Sequence, residues 1–201
     1  MQTIIEQLCQ SNFAMIEQFL ESKLYQQLKL TAYEKFCQEE YRPAKIGSNH
    51  QNHLNQAIRG DQILWLEKES NNKAINSFLQ GMQEIITLIN QQLFLGLNEF
   101  ESHFAIYPPG AFYKKHVDQF NNTQDRRVSC VYYLNDDWLP DDGGELILYT
   151  PDDKILSSVL PQGNQLLCFM SHLPHEVKIT QRHRYSIAGW MKVRGNNACM
   201  L

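Results

Sequence analysis

From Ile75 onward the apolar residues Ile75, Phe78, Leu79, Met82, Ile85, Ile86 and Ile89 recur at steps of three and four. That rhythm predicts one long helix with a single buried face, from about Asn72 to Leu93. Upstream, Ile4, Ile5 and Leu8 make a short amphipathic start, and Phe13 to Ile16 reads as a strand. From Ser22, taken as an N-cap, Leu24, Leu28, Leu30, Ala32 and Phe36 follow near-helical spacing and predict a second support helix. Between the two long helices the polar run KIGSNHQNHLNQ has no apolar period and reads as a loop.

Past residue 100 the pattern changes to short β-rich runs: His103–Tyr107, Phe112–His116, Val128–Leu134, Leu146–Tyr149, Ile155–Leu160, Gln165–Met170, Glu176–Ile179 and Tyr185–Val193. Turn chemistry separates them, as in Pro108-Pro109-Gly110, Asp141-Asp142-Gly143-Gly144, Pro151-Asp152-Asp153 and Pro161-Gln162-Gly163-Asn164. Eight such strands suffice for a double-stranded β-helix, the jelly-roll or cupin-like barrel. The expected fold is therefore mainly β with packed helices, the N-terminal helices supporting one outer face. One domain over residues 1–201 is expected, with helical support and a lid loop in 1–99 and the barrel core in 100–194.

Composition narrows the function classes. Eighteen basic against 22 acidic residues leave a net charge of −4, which argues against a chain that coats nucleic acid or an anionic membrane. The five cysteines are odd in number, widely spaced and free of any C-x-x-C pair, the usage of a reducing compartment. No apolar stretch is long enough for a membrane span, and the start MQTIIEQLCQ carries no export signal, so a cytoplasmic protein is expected.

His116 and Asp118 stand two apart in YKKHVD and share a face if that segment is extended. With seven histidines in the chain such a pair is weak alone, and equally a surface turn. Further on, His175 opens one strand and Arg184, nine residues later, opens the last, otherwise apolar one. Two imidazoles and a carboxylate are the ligand set of the facial triad that holds Fe(II) with open positions. A guanidinium beside a buried strand needs a partner, and a ligand carboxylate gripped by a bidentate fork is the natural one. His172 competes with His175 for the third place; His175 is preferred because Pro174-His175-Glu176-Val177 leads directly into a strand. His172, His183, His50, His53 and His103 are read as loop or surface residues.

These residues sit in motifs that resemble the Fe(II)- and 2-oxoglutarate-dependent dioxygenases, and among them the prolyl 4-hydroxylases of the oxygen-sensing type and their bacterial relatives. The motifs are IRGDQILW (Ile58–Trp65), Tyr107-Pro before YKKHVD, RVSCVYYLND (Arg127–Asp136), GGELILY (Gly143–Tyr149) and PHEVKITQRHRYSIAGW (Pro174–Trp190), in order over roughly residues 12 to 194. The resemblance implies His116, Asp118 and His175 as iron ligands, with Arg184 and Tyr133 on the distal carboxylate of 2-oxoglutarate. It implies Tyr107 near the cosubstrate's chelating end, and Tyr113 and Trp190 on the substrate side. Arg59 and Asp61 match the end of a loop folding over the site, where Asp61 is expected to pair with Arg126 or Arg127.

By the same resemblance the reaction consumes dioxygen and 2-oxoglutarate, uses ascorbate to keep iron ferrous, and hydroxylates a proline in an intracellular protein, such as a translation factor. Relative to the animal enzymes one residue is missing between Tyr107 and His116, the lid loop before Ile58 is shorter, and GNNACML stands where a C-terminal helix is expected. Those differences bear on substrate choice. A non-proline substrate or a non-catalytic metal-binding jelly roll are the alternatives. A nucleic-acid demethylase would show an Asn and a second Arg after Arg184, which RYSIAGW lacks, and a zinc hydrolase gives no reason for Arg184 and Tyr133.

Overall fold

The computed structural model describes residues 3–44, 55, 57–67, 70–119 and 124–193. The chain opens with a reciprocal cap: Thr3 Oγ1 accepts from the Glu6 N–H while Glu6 Oε2 accepts from the Thr3 N–H, starting α1 (Ile4–Ser11). Asn12 ends it in the left-handed conformation and turns the chain into β1 (Phe13–Ile16). The next helix, α2 (Ser22–Cys37), is capped by Glu21, not Ser22: Glu21 is the last extended residue, and no side chain caps the helix. After β2 (Arg42–Pro43) and β3 (Gln62–Trp65) comes α3 (Lys73–Leu93), whose N-cap Asn72 accepts from the N–H groups of Ala74 and Ile75.

The remaining strands are β4 (Glu99–Tyr107), β5 (Tyr113–His116), β6 (Arg126–Tyr133), β7 (Leu146–Tyr149), β8 (Ile155–Val159), β9 (Leu166–Met170), β10 (His175–Val177) and β11 (Arg184–Lys192). All eight expected strands are present, most with ends shifted by a residue or two. Their pairing is antiparallel throughout, in a seven-stranded sheet ordered β1-β9-β6-β11-β4-β3-β2 and a four-stranded sheet ordered β5-β10-β7-β8. The last eight strands split four and four between the sheets, while β1, expected over Phe13 to Ile16, and the unexpected β2 and β3 extend the larger one.

Period-two alternation sorts packing from chemistry across the large sheet. Val128, Cys130, Tyr132, Phe104, Ile106, Ile187 and Met191 face outward into one core with Leu28 of α2 and Phe78, Met82 and Ile89 of α3. The intervening Val131 and Tyr133 face the small sheet, where they join Leu146, Leu148, Leu167 and Phe169 in a second core. Ala105 and Tyr107 of β4 face the same way, with Val177. Polar residues on these inward positions are thus placed between the sheets, in a rigid frame.

The polar segment 45–56, apart from Asn55, lies outside the described residues, as do the tail after Val193, His50, His53 and Cys199. Cys9, Cys37, Cys130 and Cys168 are free thiols, the last two buried. Among the described residues no helix is long and apolar enough to cross a membrane.

Candidate active site

His116 and His175 are cross-strand partners on β5 and β10, so the pleat brings their rings side by side, 4.2 Å between centroids. Asp118 follows two residues after His116. Its Oδ1 is 3.6 Å from His116 Nε2 and its Oδ2 is 3.5 Å from His175 Nε2. These separations are long for hydrogen bonds, yet the three side chains each offer a ligand atom within 4.8 Å of the others. The tautomers are set from behind: His116 Nδ1 lies 2.8 Å from the Lys114 carbonyl and His175 Nδ1 lies 3.0 Å from the Leu173 carbonyl. A carbonyl only accepts, so each Nδ1 carries the proton and each Nε2 keeps a lone pair toward Asp118. Burial pushes the His175 pKa down to about 4, with His116 adding to the effect, so the ring is neutral. Burial pushes Asp118 upward, but His175, His116 and the Ser129 hydroxyl outweigh it and hold the carboxyl well below the usual range. Two imidazole nitrogens and one ionised carboxylate oxygen converge on one point, a donor set suited to a divalent transition metal. His172, the competing histidine, is exposed.

Behind Asp118 is a pair that sequence reasoning missed. Ser129 Oγ donates to Asp118 Oδ2 at 2.7 Å, and Ser171 Oγ lies 2.9 Å from Ser129 Oγ, both serines being buried. The available signal was a serine at an inward position of the apolar run RVSCVYY.

Deeper between the sheets, Arg184 is 1% exposed. Its Nε donates to the Gly144 carbonyl at 2.9 Å and its Nη1 to Ser186 Oγ at 3.2 Å. Gly144 has a φ of +71°, and a Cβ there would stand 3.1 Å from Arg184 Cδ, so the GGELILY motif lets a turn close on the guanidinium. Nη2 of Arg184 and the hydroxyl of Tyr133 have no hydrogen-bond partner among the described residues, and no carboxylate there lies within ion-pair distance of Arg184. The guanidinium carbon sits 5.1 Å from the Tyr107 ring centre and 5.2 Å from that of Tyr133. A buried cation with no counter-ion is costly. One donor of its fork and one phenol stand ready for an anionic group, and a dicarboxylate fits that chemistry.

The triad, Arg184, Tyr107, Tyr113, Trp190, Arg59 and Asp61 all line one cleft of about 950 Å³. Tyr113 stacks on His116 with ring centres 3.6 Å apart, and the Arg59 guanidinium lies 4.2 Å from the Tyr113 ring centre. Asp61 pairs with Arg59, through Nε at 2.7 Å and Nη2 at 2.5 Å, and not with Arg126 or Arg127 as expected. The reason is local: residues two apart in an extended segment share a face, while Arg126 is bonded to Glu101 at 2.9 Å and stacked 3.7 Å from the centre of the Trp190 ring.

His103, read as a loop or surface histidine, is instead 3% exposed on β4 and lines the cleft. Burial pushes its pKa down from 6.5 to about 4, Asp61 pulling upward and Arg59 and Arg126 pushing further down. An unfolded chain takes up a proton on this ring below about 6.5 and the folded one refuses it until about 4, so the unfolded state binds more protons in between. This ring's share of stability should therefore be full above pH 6.5 and fall by about 3 kcal/mol as pH drops toward 4, alongside a fall of the same sign from buried His175. Urea midpoints at pH 7 and pH 4.5 check this, and His103→Phe should make the dependence shallower while leaving the His175 part; an unchanged slope would contradict it.

The sequence profile described as "2OG-Fe(II) oxygenase superfamily" matches residues 102–192, the span carrying the triad and Arg184. A Pseudomonas putida prolyl-4-hydroxylase crystal structure superposes with a TM-score of 0.86 at 37% identity, covering 96% of this chain and 98% of that one. A Trichoplax adhaerens prolyl hydroxylase, solved with a hypoxia inducible factor oxygen degradation domain peptide, gives 0.84 at 28% identity over 94% of this chain and 87% of its own. Human Egl nine homolog 1 is 34% identical over 140 residues, 66% of this chain. The match spans about a third of that relative's length (33%). This chain therefore belongs to the 2OG-Fe(II) oxygenase superfamily, and over almost its whole length it is similar to the prolyl hydroxylases within it.

Proposed function

We propose that the protein is a peptidyl-prolyl 4-hydroxylase in which His116, Asp118 and His175 hold Fe(II), and Arg184 with Tyr133 holds the distal carboxylate of 2-oxoglutarate. The observation that carries this is the Arg184 guanidinium, buried, without a counter-ion among the described residues, in the same cleft as the three ligand side chains. When bound, iron with 2-oxoglutarate and dioxygen supplies the oxidation that turns a substrate C–H into C–OH, the keto acid leaving as succinate and carbon dioxide.

The chain's own work is placement. The Lys114 and Leu173 carbonyls hold the two Nδ1–H groups and so turn both Nε2 atoms toward Asp118, Asp118 keeps a charge in a buried site, and Arg184 fixes how far the keto acid enters. Tyr113, Trp190 and the Arg59–Asp61 pair wall the substrate side and exclude water from it. Ascorbate is the reductant we assign, the cytoplasm the compartment, the latter supported by four free thiols. The target is a proline in a protein, a translation factor being the first to examine.

The test is to load the protein anaerobically with Fe(II) and 2-oxoglutarate, admit air, and follow succinate while searching cell extract by mass spectrometry for prolines heavier by 16 Da. Succinate together with a hydroxylated proline is expected; succinate with oxidation confined to other residue types would overturn the prolyl assignment. Ser129→Ala should weaken Fe(II) binding about ten- to a hundredfold by releasing Asp118, with the fold intact. Calorimetric titration of Fe(II) under nitrogen checks it, and unchanged affinity would remove Ser129 from any such role.

A further inference from the structure

His103 is directly opposite Trp65 in the β3–β4 register, their ring centres 4.9 Å apart, and its ring centre is 5.4 Å from that of Trp190 on β11. Trp65 is 52% exposed, so this aromatic group runs from the cleft wall to the rim. Two buried polar atoms in it, Nδ1 of His103 and Nε1 of Trp190, have no hydrogen-bond partner among the described residues. Such atoms are destabilising where they stand. Elsewhere between the sheets the same signature, at Arg184 and Tyr133, stands at the anchor proposed above for the keto acid.

The two orphans differ in kind from that anchor, because neither ring is charged. His103 is held neutral by burial, so it has one N–H and one lone pair, and an indole only donates. A peptide segment centred on proline matches these donors: proline brings a carbonyl but no N–H, so acceptors outnumber donors at the residue to be modified. Its pyrrolidine ring and its neighbours also pack well on aromatic faces.

Resting on the prolyl reading above, we propose that His103 is a specificity-determining residue. With Trp190 it donates to backbone carbonyls beside the target proline, and exposed Trp65 carries the flanking residue at the rim.

The test compares wild type with His103→Phe, which keeps a ring against Trp65 and Trp190 but no nitrogen, and with His103→Gln, which keeps a donor. The probe is a degenerate library of blocked peptides centred on proline, read as mass gain on proline. At limiting library concentration His103→Phe should hydroxylate about tenfold more slowly, recovering as the library is raised, while His103→Gln stays within about threefold of wild type. The KM for 2-oxoglutarate should be the same in all three. Equal rates for His103→Phe and wild type would overturn the inference and leave the prolyl reading standing. A His103→Gln loss as deep as that of His103→Phe, or a matching rise in the KM for 2-oxoglutarate, would overturn it too, by making the residue structural. No mass gain on proline with wild type would overturn both.

Discussion

Replacing His175 with alanine should take 2-oxoglutarate-driven succinate release to the assay background, with Fe(II) no longer retained on gel filtration. The ring supplies one of the two imidazole nitrogens that meet Asp118, and no other described histidine can take its place: His172 and His183 are exposed and His103 lies on the opposite sheet. A bound metal contributes several kcal/mol of charge stabilisation, which at about 1.4 kcal/mol per tenfold is on the order of a thousandfold in rate. His172→Ala, by contrast, should leave succinate release unchanged, which decides directly between the two histidines that spacing alone left in competition. The alanine also leaves a cavity and an unpaired Leu173 carbonyl, so the urea midpoint of the metal-free variant belongs beside the rate. A variant that keeps wild-type turnover would remove His175 from the metal site. One that loses turnover while binding Fe(II) normally would give it a different task.

What could be read from the chain follows from how many residues carry each signal. The α3 face repeats its apolar rhythm over about four turns, from Ile75 to Ile89, and the barrel strands alternate between two environments, so helix and strands were legible with small errors at their ends. β2 and β3 were not: two residues carry no period, and the four of β3 stand outside the series of turn-bounded runs past residue 100 that made equally short β5 and β7 legible. Ser22 was misread as a cap because an N-cap is defined by backbone angles, and Glu21 is the residue that keeps extended ones. The triad and Arg184 were legible through spacing and motif together, whereas Ser129, Ser171 and His103 act through neighbours on other strands. A lone serine or histidine in an apolar run carries no spacing to read; only the pairing of β6 with β9, and of β3 with β4, gives each its company. Asp61 shows the reverse error, a distant partner sought where the nearer Arg59 was geometrically available.

Arg184→Lys should raise the KM for 2-oxoglutarate about ten- to a hundredfold with a much smaller change in kcat. Three of the arginine's nitrogens have separate tasks: Nε holds the Gly144 carbonyl, Nη1 holds Ser186, and Nη2 is left for the ligand. A lysine has one nitrogen on a flexible stem, so it cannot brace itself against the turn and face the carboxylate with the same geometry. Losing one charge-assisted bond of about 1.5–3 kcal/mol sets the scale. The variant should also acquire a pH dependence that wild type lacks. A guanidinium stays protonated at any working pH, whereas burial lowers a lysine's pKa, so the substituted ammonium is charged, and binds, below that value and releases its proton above it. The KM of the variant should accordingly climb with pH faster than that of wild type, and the gap between the two should be smallest in mildly acidic assays. Tyr133→Phe removes a neutral donor and should cost only a few-fold, without the added slope. If Arg184→Lys lowered kcat at an unchanged KM, the guanidinium would have to act on the reacting centre, and the cosubstrate would have to be anchored elsewhere in the cleft.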